Sequence, residues 1–267
     1  MENKKKCCCK KEVVAKQGSI YLASSKLNLS DYIGAFKARF GINRNSYSVE
    51  PGLYALGNAN KKSPVLVTAN YKLTFDSLRK HLTDIDCWIL VLDTKGINVW
   101  CAAGKGAFGT AELINRIVTS DLENVIDHKK IILPQLGAVG VSAYEIKKQT
   151  GFKVVYGPVR AEDLPVFLED GMKATSEMRL VKFGLYDRLV LAPIEFVMSL
   201  KYLFYAIFAI AIISGFKVSS SGLGIALFPS IYYMFGVGLA YVSGAIFGPV
   251  LLPFLPGRSF SLKGFWL

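Results

Sequence analysis

One cysteine, Cys101, has neighbours that suit it to binding a soft metal ion. It lies in the segment 98–105 (NVWCAAGK), which follows an apolar stretch and a polar turn. Asn98 is a favoured N-cap residue, and the positive end of a helix dipole favours a thiolate over a thiol. A thiolate is a strong ligand for soft metal ions. A lone cysteine can also be a small core residue, so a metal-binding thiol and a buried thiol are the two interpretations.

Small residues beside Cys101 predict that a flat ligand can approach the backbone closely. The run Gly104–Gly109 has the spacing G-x-G-x-x-G, which we interpret as a glycine-lined floor beneath a macrocycle. A plain tight loop and a dinucleotide-binding loop are the alternatives. Trp100 is expected to pack this short helix onto the domain. The candidate cofactor-binding residues in this segment are Asn98, Val99, Trp100, Cys101, Ala102, Ala103, Gly104, Lys105 and Gly106.

Two further loops follow predicted strands and are candidates for binding the same ligand. Thr68 and Asn70 stand at the end of one strand, where they can hydrogen-bond a ligand. The segment 134–142 (PQLGAVGVS) follows another strand and offers backbone amides to polar side arms of a ligand. Its candidate residues are Gln135, Leu136, Gly137 and Ala138. A buried crossover loop is the alternative interpretation of this segment.

The elements that position these loops alternate between strands and helices. Short apolar runs predict strands at 64–69, 87–92, 130–133 and 152–156. Amphipathic patterns predict helices at 71–82 and 110–119, one from Ser142 to Gly151, and one ending near Asp170. This order predicts an α/β fold: a small, Rossmann-like, doubly wound sheet. Such sheets bind ligands beyond the C-terminal ends of their strands.

Composition divides the chain into three parts. Residues 1–50 are polar and weakly patterned, and are predicted to form a basic arm extended over the domain; residues 51–190 form the α/β domain. Residues 191–267 contain four basic residues and one acidic residue, Glu195, and predict about three transmembrane helices, with a tight turn near 236–243. The net charge of the whole chain is +12, and its basic residues are spread along the soluble part, which argues for retention on the cytoplasmic side of the membrane rather than for nucleic-acid binding. We predict a multi-pass protein of the inner (cytoplasmic) membrane.

The remaining cysteines do not form a recognisable cluster site. The chain has five cysteines and no C-x-x-C pair, so neither an iron–sulfur cluster nor a structural zinc site is predicted. Cys87 lies in an apolar strand and is expected in the core. Cys7, Cys8 and Cys9 lie in the basic arm, where binding of soft ions, lipidation and no role at all remain open.

Several segments together resemble the corrinoid-dependent mercury-methylating protein family, HgcA. That family is related to the corrinoid-binding domain of corrinoid iron–sulfur proteins, which lack the cysteine of NVWCAAGK. The resemblance covers much of the chain from about residue 64 to residue 263. The segments that carry it are NVWCAAGKGAFGT (98–110), ILPQLGAVGVSA (132–143), TGFKVVYGPVRAEDLP (150–165), GMKATSEMR (171–179) and LPGRSF (255–260).

The resemblance implies a methyltransferase with a cobalamin-type corrinoid, in which Cys101 ligates cobalt. It implies methyl transfer to Hg(II), a methylated folate-pathway donor, and a ferredoxin-like partner with two four-iron clusters that returns cobalt to its reduced state. A membrane-anchored corrinoid methyl carrier with a different native acceptor is the alternative. The family usually has about five membrane spans, so this chain, which stops at Leu267, is expected to be a short or truncated form.

Overall fold

The computed structural model describes residues 20–218 and 227–266, and they divide into two compact units. The first unit, here called the α/β unit, comprises the described residues up to Ala35 together with Asn45–Val181. The second, here called the apolar unit, comprises Phe36–Arg44 and the described residues from Lys182 onward. The candidate cofactor-binding residues all belong to the α/β unit.

One mixed sheet of six strands organises the α/β unit. The strands are β1 (Ile20–Ala23), β2 (Gly52–Leu56), β3 (Val65–Ala69), β4 (Cys87–Leu92), β5 (Lys130–Leu133) and β6 (Lys153–Tyr156), in the order β1-β2-β4-β3-β5-β6. β4, β3, β5 and β6 are parallel, whereas β2 is antiparallel to β4 and parallel to β1. The chain passes from β3 to β4 on one side and then to β5 on the other, so the winding reverses at β3. Ligands bind at the C-terminal strand ends beside such a reversal.

Helices cover both faces of this sheet. The helices of the unit are α1 (Leu29–Arg39, whose last four residues belong to the apolar unit), α2 (Lys72–Lys80), α3 (Val99–Gly104), α4 (Thr110–Thr119), α5 (Leu122–Val125), α6 (Ala143–Thr150) and α7 (Leu164–Glu169). α3, α4, α5 and α6 pack on the face that contains Val67 and Leu90. α2 and α7 pack on the opposite face, with Leu66 and Ile89. All six residues of β4 are buried, as expected for a strand covered on both faces.

Most predicted elements of residues 51–190 are present. β4 and α4 have the predicted bounds. α6 begins and ends as predicted, because the Ser142 hydroxyl accepts a hydrogen bond from the Glu145 amide and Gly151 ends the helix with φ +76°. The parallel doubly wound part of the sheet is confirmed, and the antiparallel β2 adds a strand that was not predicted.

The prediction of an extended arm is wrong for residues 20–50. Ile20–Ala23 joins the edge of the sheet as β1, and Leu29–Arg39 forms α1. The buried side of α1 includes Asp31 and Ala38, so its apolar residues do not mark the side that packs on the protein. Local hydrophobic periodicity therefore gave no sign of a packed helix. The first 19 residues, including the three N-terminal cysteines, lie outside the described residues.

A buried ionic cluster holds α1 against α2. Lys72 Nζ lies 2.7 Å from a carboxylate oxygen of both Asp31 and Asp76, and Arg79 contacts the same two carboxylates at 2.7 and 2.8 Å. Burial favours the neutral form of Asp31, but the hydrogen bonds from Lys72, the Asn28 backbone and Arg79 outweigh it and hold its pKa below the ordinary value. Arg79 also donates to two backbone carbonyls of the segment between β1 and α1. This ionic cluster fixes which side of α1 faces the protein.

The apolar unit contains two helical stretches long and apolar enough to cross a membrane, Leu185–Ile213 and Ile231–Leu251. The first belongs to α8 (Leu185–Val218). The second combines most of α9 (Leu227–Val242), a π-helical turn (Ser243–Phe247) and α10 (Gly248–Leu251); α11 (Phe260–Phe265) follows. The turn predicted near 236–243 is not formed, because these residues continue α9 into the π-helical turn. The number of membrane crossings stays a prediction.

Candidate cofactor site

A turn organised by Asn70 connects β4 to α3. The Asn70 side-chain oxygen accepts hydrogen bonds from the backbone amides of Thr94 (3.1 Å) and Gly96 (2.9 Å), and the Thr94 hydroxyl lies 2.8 Å away. Lys95 and Gly96 both have positive φ, as a tight reversal at a strand end requires. Asn70 is 5% exposed. Asn70 therefore positions the start of α3, and its side-chain oxygen is already engaged within the protein.

α3 presents Cys101 on its open face. The Asn98 side-chain oxygen accepts the Cys101 amide at 2.9 Å, which confirms the predicted N-cap. Val99, Ala102 and Ala103 are buried in the core beneath the helix, at the i, i+3, i+4 spacing of one helix face. Cys101 lies on the other face and is exposed.

Trp100 does not pack α3 onto the domain as predicted. Its side chain is 62% exposed, and the packing contacts come instead from the three small residues on the buried face. A large aromatic ring left in solvent beside a thiol is suited to contact with a ligand or partner. The structure thus brings Trp100 and Cys101 together on one face of α3.

The glycine run after Cys101 leaves its surroundings open. Gly104, at i+3 from Cys101, and Gly106 are exposed, and a Cβ atom built on either meets nothing within 4 Å. Gly106 has φ +79°, a conformation that favours glycine. Lys105 is exposed between them. Because Gly104 and Gly106 have no side chains, the Cys101 thiol stays accessible to a large flat ligand.

The loop after β5 packs directly against α3. A Cβ atom on Gly140 would lie 2.2 Å from the Phe108 carbonyl oxygen and 3.1 Å from Ala103 Cα. One on Gly137 would lie 2.5 Å from the Phe108 ring. Both glycines are needed for this close approach, and Gly140 was not predicted as a site residue. In the sequence, Gly140 is only one of several glycines in an apolar loop, so no pattern distinguishes it.

The remaining predicted residues of this loop surround the contact. Gln135 accepts a hydrogen bond from Arg179 at 2.8 Å through its side-chain oxygen, and Leu136 packs against the core. Ala138 is half-buried, and Val139 and Tyr144 are 80% and 72% exposed. Sequence reasoning did not identify Val139 and Tyr144 as exposed apolar residues of this region, because the exposure of an apolar residue cannot be read from sequence. Thr68, in contrast, is buried within β3.

Replacing Gly140 with valine should destabilise the α/β unit by about 1–3 kcal/mol, because a side chain there must push α3 away from the loop. Gly104→Ala is the matched control, since its added methyl group meets open space. The rate at which the buried Cys87 thiol is labelled in urea would report unfolding when the other cysteines are serine. Equal labelling of the two variants would contradict the close contact.

Cys101 has no neighbouring protein ligands that would hold a free metal ion. Among residues 20–218 and 227–266, no group of three or more His, Cys, Asp or Glu side chains is arranged for metal binding. A single thiol suits a metal whose other positions are filled by its own cofactor. A corrinoid, whose macrocycle supplies four nitrogen ligands to cobalt, therefore fits the exposed Cys101 and the open space beside it.

The other described cysteine and a cavity of the α/β unit lie elsewhere. Cys87 is fully buried in β4, as predicted, and burial raises the pKa of its thiol to about 12, so it stays protonated. A cavity of about 560 Å³ opens at the N-terminal ends of the strands, lined in part by Val65, Lys130 and Pro165. This cavity is at the sheet edge opposite to Cys101.

Part of the chain is similar in sequence to known proteins. Over 129 residues, 47% of this chain, it is 36% identical to the acetyl-CoA decarbonylase/synthase complex subunit gamma of Methanopyrus kandleri. It is 34% identical over 121 residues, 45% of this chain, to the corrinoid/iron–sulfur protein large subunit of Moorella thermoacetica. The Archaeoglobus fulgidus subunit gamma is 32% identical over 128 residues, 47% of this chain. In each case the match covers 27% of the relative, so this chain corresponds to about a quarter of these proteins.

The fold and the site define a Rossmann-like α/β domain with an exposed thiol on the short helix that follows the C-terminal end of β4. The model of the family described as CO dehydrogenase/acetyl-CoA synthase delta subunit (CdhD) matches residues 33–168. The chain belongs to this family. The matched residues include α3, the loop after β5 and most of the sheet.

Proposed function

We propose that the α/β unit binds a cobalamin-type corrinoid whose cobalt the Cys101 sulfur would ligate, and that the protein transfers a methyl group to Hg(II). The observation that carries this proposal is the exposed Cys101 thiol on a capped helix at the ligand-binding sheet edge. Support comes from the relative named as a corrinoid/iron–sulfur protein. The NVWCAAGK segment favours the mercury-methylating branch over relatives without this cysteine.

The residues of the site have separate roles in this proposal. Asn98 holds the start of α3 and so orients Cys101. Gly104 and Gly106 leave space for the edge of the macrocycle, and Trp100 offers a flat apolar surface that shields the ligand from water. The bound corrinoid supplies a cobalt centre that accepts a methyl group and yields it to a soft acceptor. A thiolate at Cys101 donates electron density to that centre, which favours release of the methyl group.

The proposal also includes the methyl donor, the reductant of cobalt and the location of the protein. A methylated folate-pathway donor supplies the methyl group, and a ferredoxin-like partner with two four-iron clusters keeps cobalt reduced. The apolar helices Leu185–Ile213 and Ile231–Leu251 anchor the protein in the cytoplasmic membrane. The α/β unit lies on the cytoplasmic side, where basic segments are retained.

A methyl carrier with another native acceptor is the second candidate. The names of the gamma-subunit relatives favour it, since they are parts of an acetyl-CoA decarbonylase/synthase complex. Both candidates need Cys101 and a corrinoid, and they differ in the acceptor. Formation of methylmercury from added Hg(II) by the purified full chain distinguishes them.

The first test is the visible absorption spectrum of the full chain, purified in detergent after expression with cobalamin. Cobalt–thiolate absorption is expected in the wild type and in a variant with Cys7, Cys8 and Cys9 replaced by serine. It should be lost in Cys101→Ala. Retention of the corrinoid with an unchanged spectrum in Cys101→Ala would show that Cys101 is not the ligand. A wild type that retains no corrinoid would refute the cofactor assignment.

A further inference from the structure

α1 is amphipathic in the opposite sense to an ordinary surface helix. Its apolar residues Leu29, Tyr32, Ile33 and Phe36 are 46–74% exposed, while the charged Asp31 is 2% exposed. These four residues follow the i, i+3, i+4, i+7 spacing of one helix face and are here called the α1 stripe. The buried ionic cluster holds Asp31 inward, and so it holds the α1 stripe outward.

Basic residues flank the α1 stripe on both sides. At about 100° per residue, Lys37 projects to one side of the stripe and Arg39 to the other. Ile42, just beyond the helix, adds another apolar side chain that is 53% exposed. An apolar face bordered by basic residues is the pattern of helices that lie in the interface of a membrane with anionic lipids.

Gly41, two residues beyond α1, lies beside Ile194 in the first part of α8, which contains the charged residues of that helix. Phe36–Arg44 belongs to the same compact unit as α8, and a Cβ atom on Gly41 would lie 3.1 Å from the Ile194 side chain. Glu195 and Lys201 follow Ile194, and from Tyr202 to Ile213 there is no charged residue. In a membrane-spanning α8, this change marks the boundary between headgroups and hydrocarbon.

We infer that α1 binds the surface of an anionic lipid bilayer, with the α1 stripe inserted among the headgroups and Lys37 and Arg39 paired with lipid phosphates. This inference rests on the proposed membrane anchoring by the apolar unit. It adds a second membrane contact, made by α1. The experiment below distinguishes this lipid contact from the alternative, in which a second copy of the chain or another protein covers the α1 stripe.

The test places a polarity-sensitive fluorophore on single cysteines of the full chain in vesicles of phosphatidylcholine and phosphatidylglycerol. The label sites are Phe36→Cys in the α1 stripe, Phe208→Cys in α8 and Lys148→Cys on exposed α6, all with Cys7, Cys8, Cys9 and Cys101 replaced by serine. Nitroxide-bearing lipids should quench the labels at positions 36 and 208 by at least about two-fold, and leave the label at position 148 unchanged.

Each other outcome overturns the inference in a recognisable way. A quenched label at position 208 with a water-exposed, unquenched label at position 36 refutes the surface contact while membrane anchoring stands. A blue-shifted but unquenched label at position 36 shows that protein, not lipid, covers the stripe. An unquenched label at position 208 shows that α8 does not enter the bilayer, and the proposed anchoring fails together with the inference.

Discussion

Replacing Cys101 with alanine is expected, under the proposed mercury methylation, to lower methylmercury formation by the full chain at least about 100-fold, because the other cysteine among residues 20–218 and 227–266, Cys87, is buried in β4 and cannot ligate cobalt in its place. The measurement is methylmercury produced from Hg(II) by the corrinoid-loaded protein in detergent. The exposed position of Cys101 on α3 means that the loss of one sulfur atom should leave the fold unchanged.

Two control variants separate the role of Cys101 from those of the other thiols. Cys87→Ala should keep most of the activity, since Cys87 is buried in β4 and remains protonated. Serine at positions 7, 8 and 9 tests whether the N-terminal thiols deliver Hg(II). Cys101→Ala with more than half of the wild-type rate would contradict the axial-thiolate mechanism, and a low rate in the triple-serine variant would assign mercury capture to the N-terminal thiols.

Replacing Arg79 with methionine is expected to destabilise the α/β unit by about 3–5 kcal/mol, because it leaves buried carboxylates with too few partners. Arg79 is 6% exposed, and two carboxylates and two backbone carbonyls accept its hydrogen bonds. Labelling of the Cys87 thiol in urea, in the background without other cysteines, measures the free energy of unfolding of this unit.

Arg116→Met is the matched control for the Arg79 variant. Arg116 pairs with Glu112 one helical turn away at 2.8 Å, but the two side chains are 17% and 21% exposed. An i,i+4 ion pair along one helix contributes only about 0.2–0.5 kcal/mol. If both variants lose the same stability, the buried ionic cluster does not hold the N-terminal segment in place.

Local signals explain which parts of the fold could be predicted. β4, α4 and α6 follow from continuous apolar runs, helical periodicity and the cap residues Ser142 and Gly151, which all act within a few residues. α1 could not be predicted in this way. Its inward face depends on Asp31 pairing with Lys72, 41 residues later in the chain.

The candidate site likewise combines residues that the local sequence predicts with residues whose role depends on distant contacts. Cys101 and its cap Asn98 lie three residues apart, and their arrangement was predicted from sequence. Asn70 was predicted to contact a ligand, but its side chain holds a turn 24 residues further along the chain. The importance of Gly140 depends on a contact with Ala103 that no local pattern reveals.

The three supports of α3 also determine how quickly a ligand can be captured. The Asn70-bound turn, the Asn98 cap and the Gly140 contact hold the helix through contacts made within the protein itself. A site that is already ordered loses little conformational entropy on binding and does not wait for a loop to fold. Under the proposed function, corrinoid binding should therefore be limited by diffusion and access to the site rather than by the folding of α3.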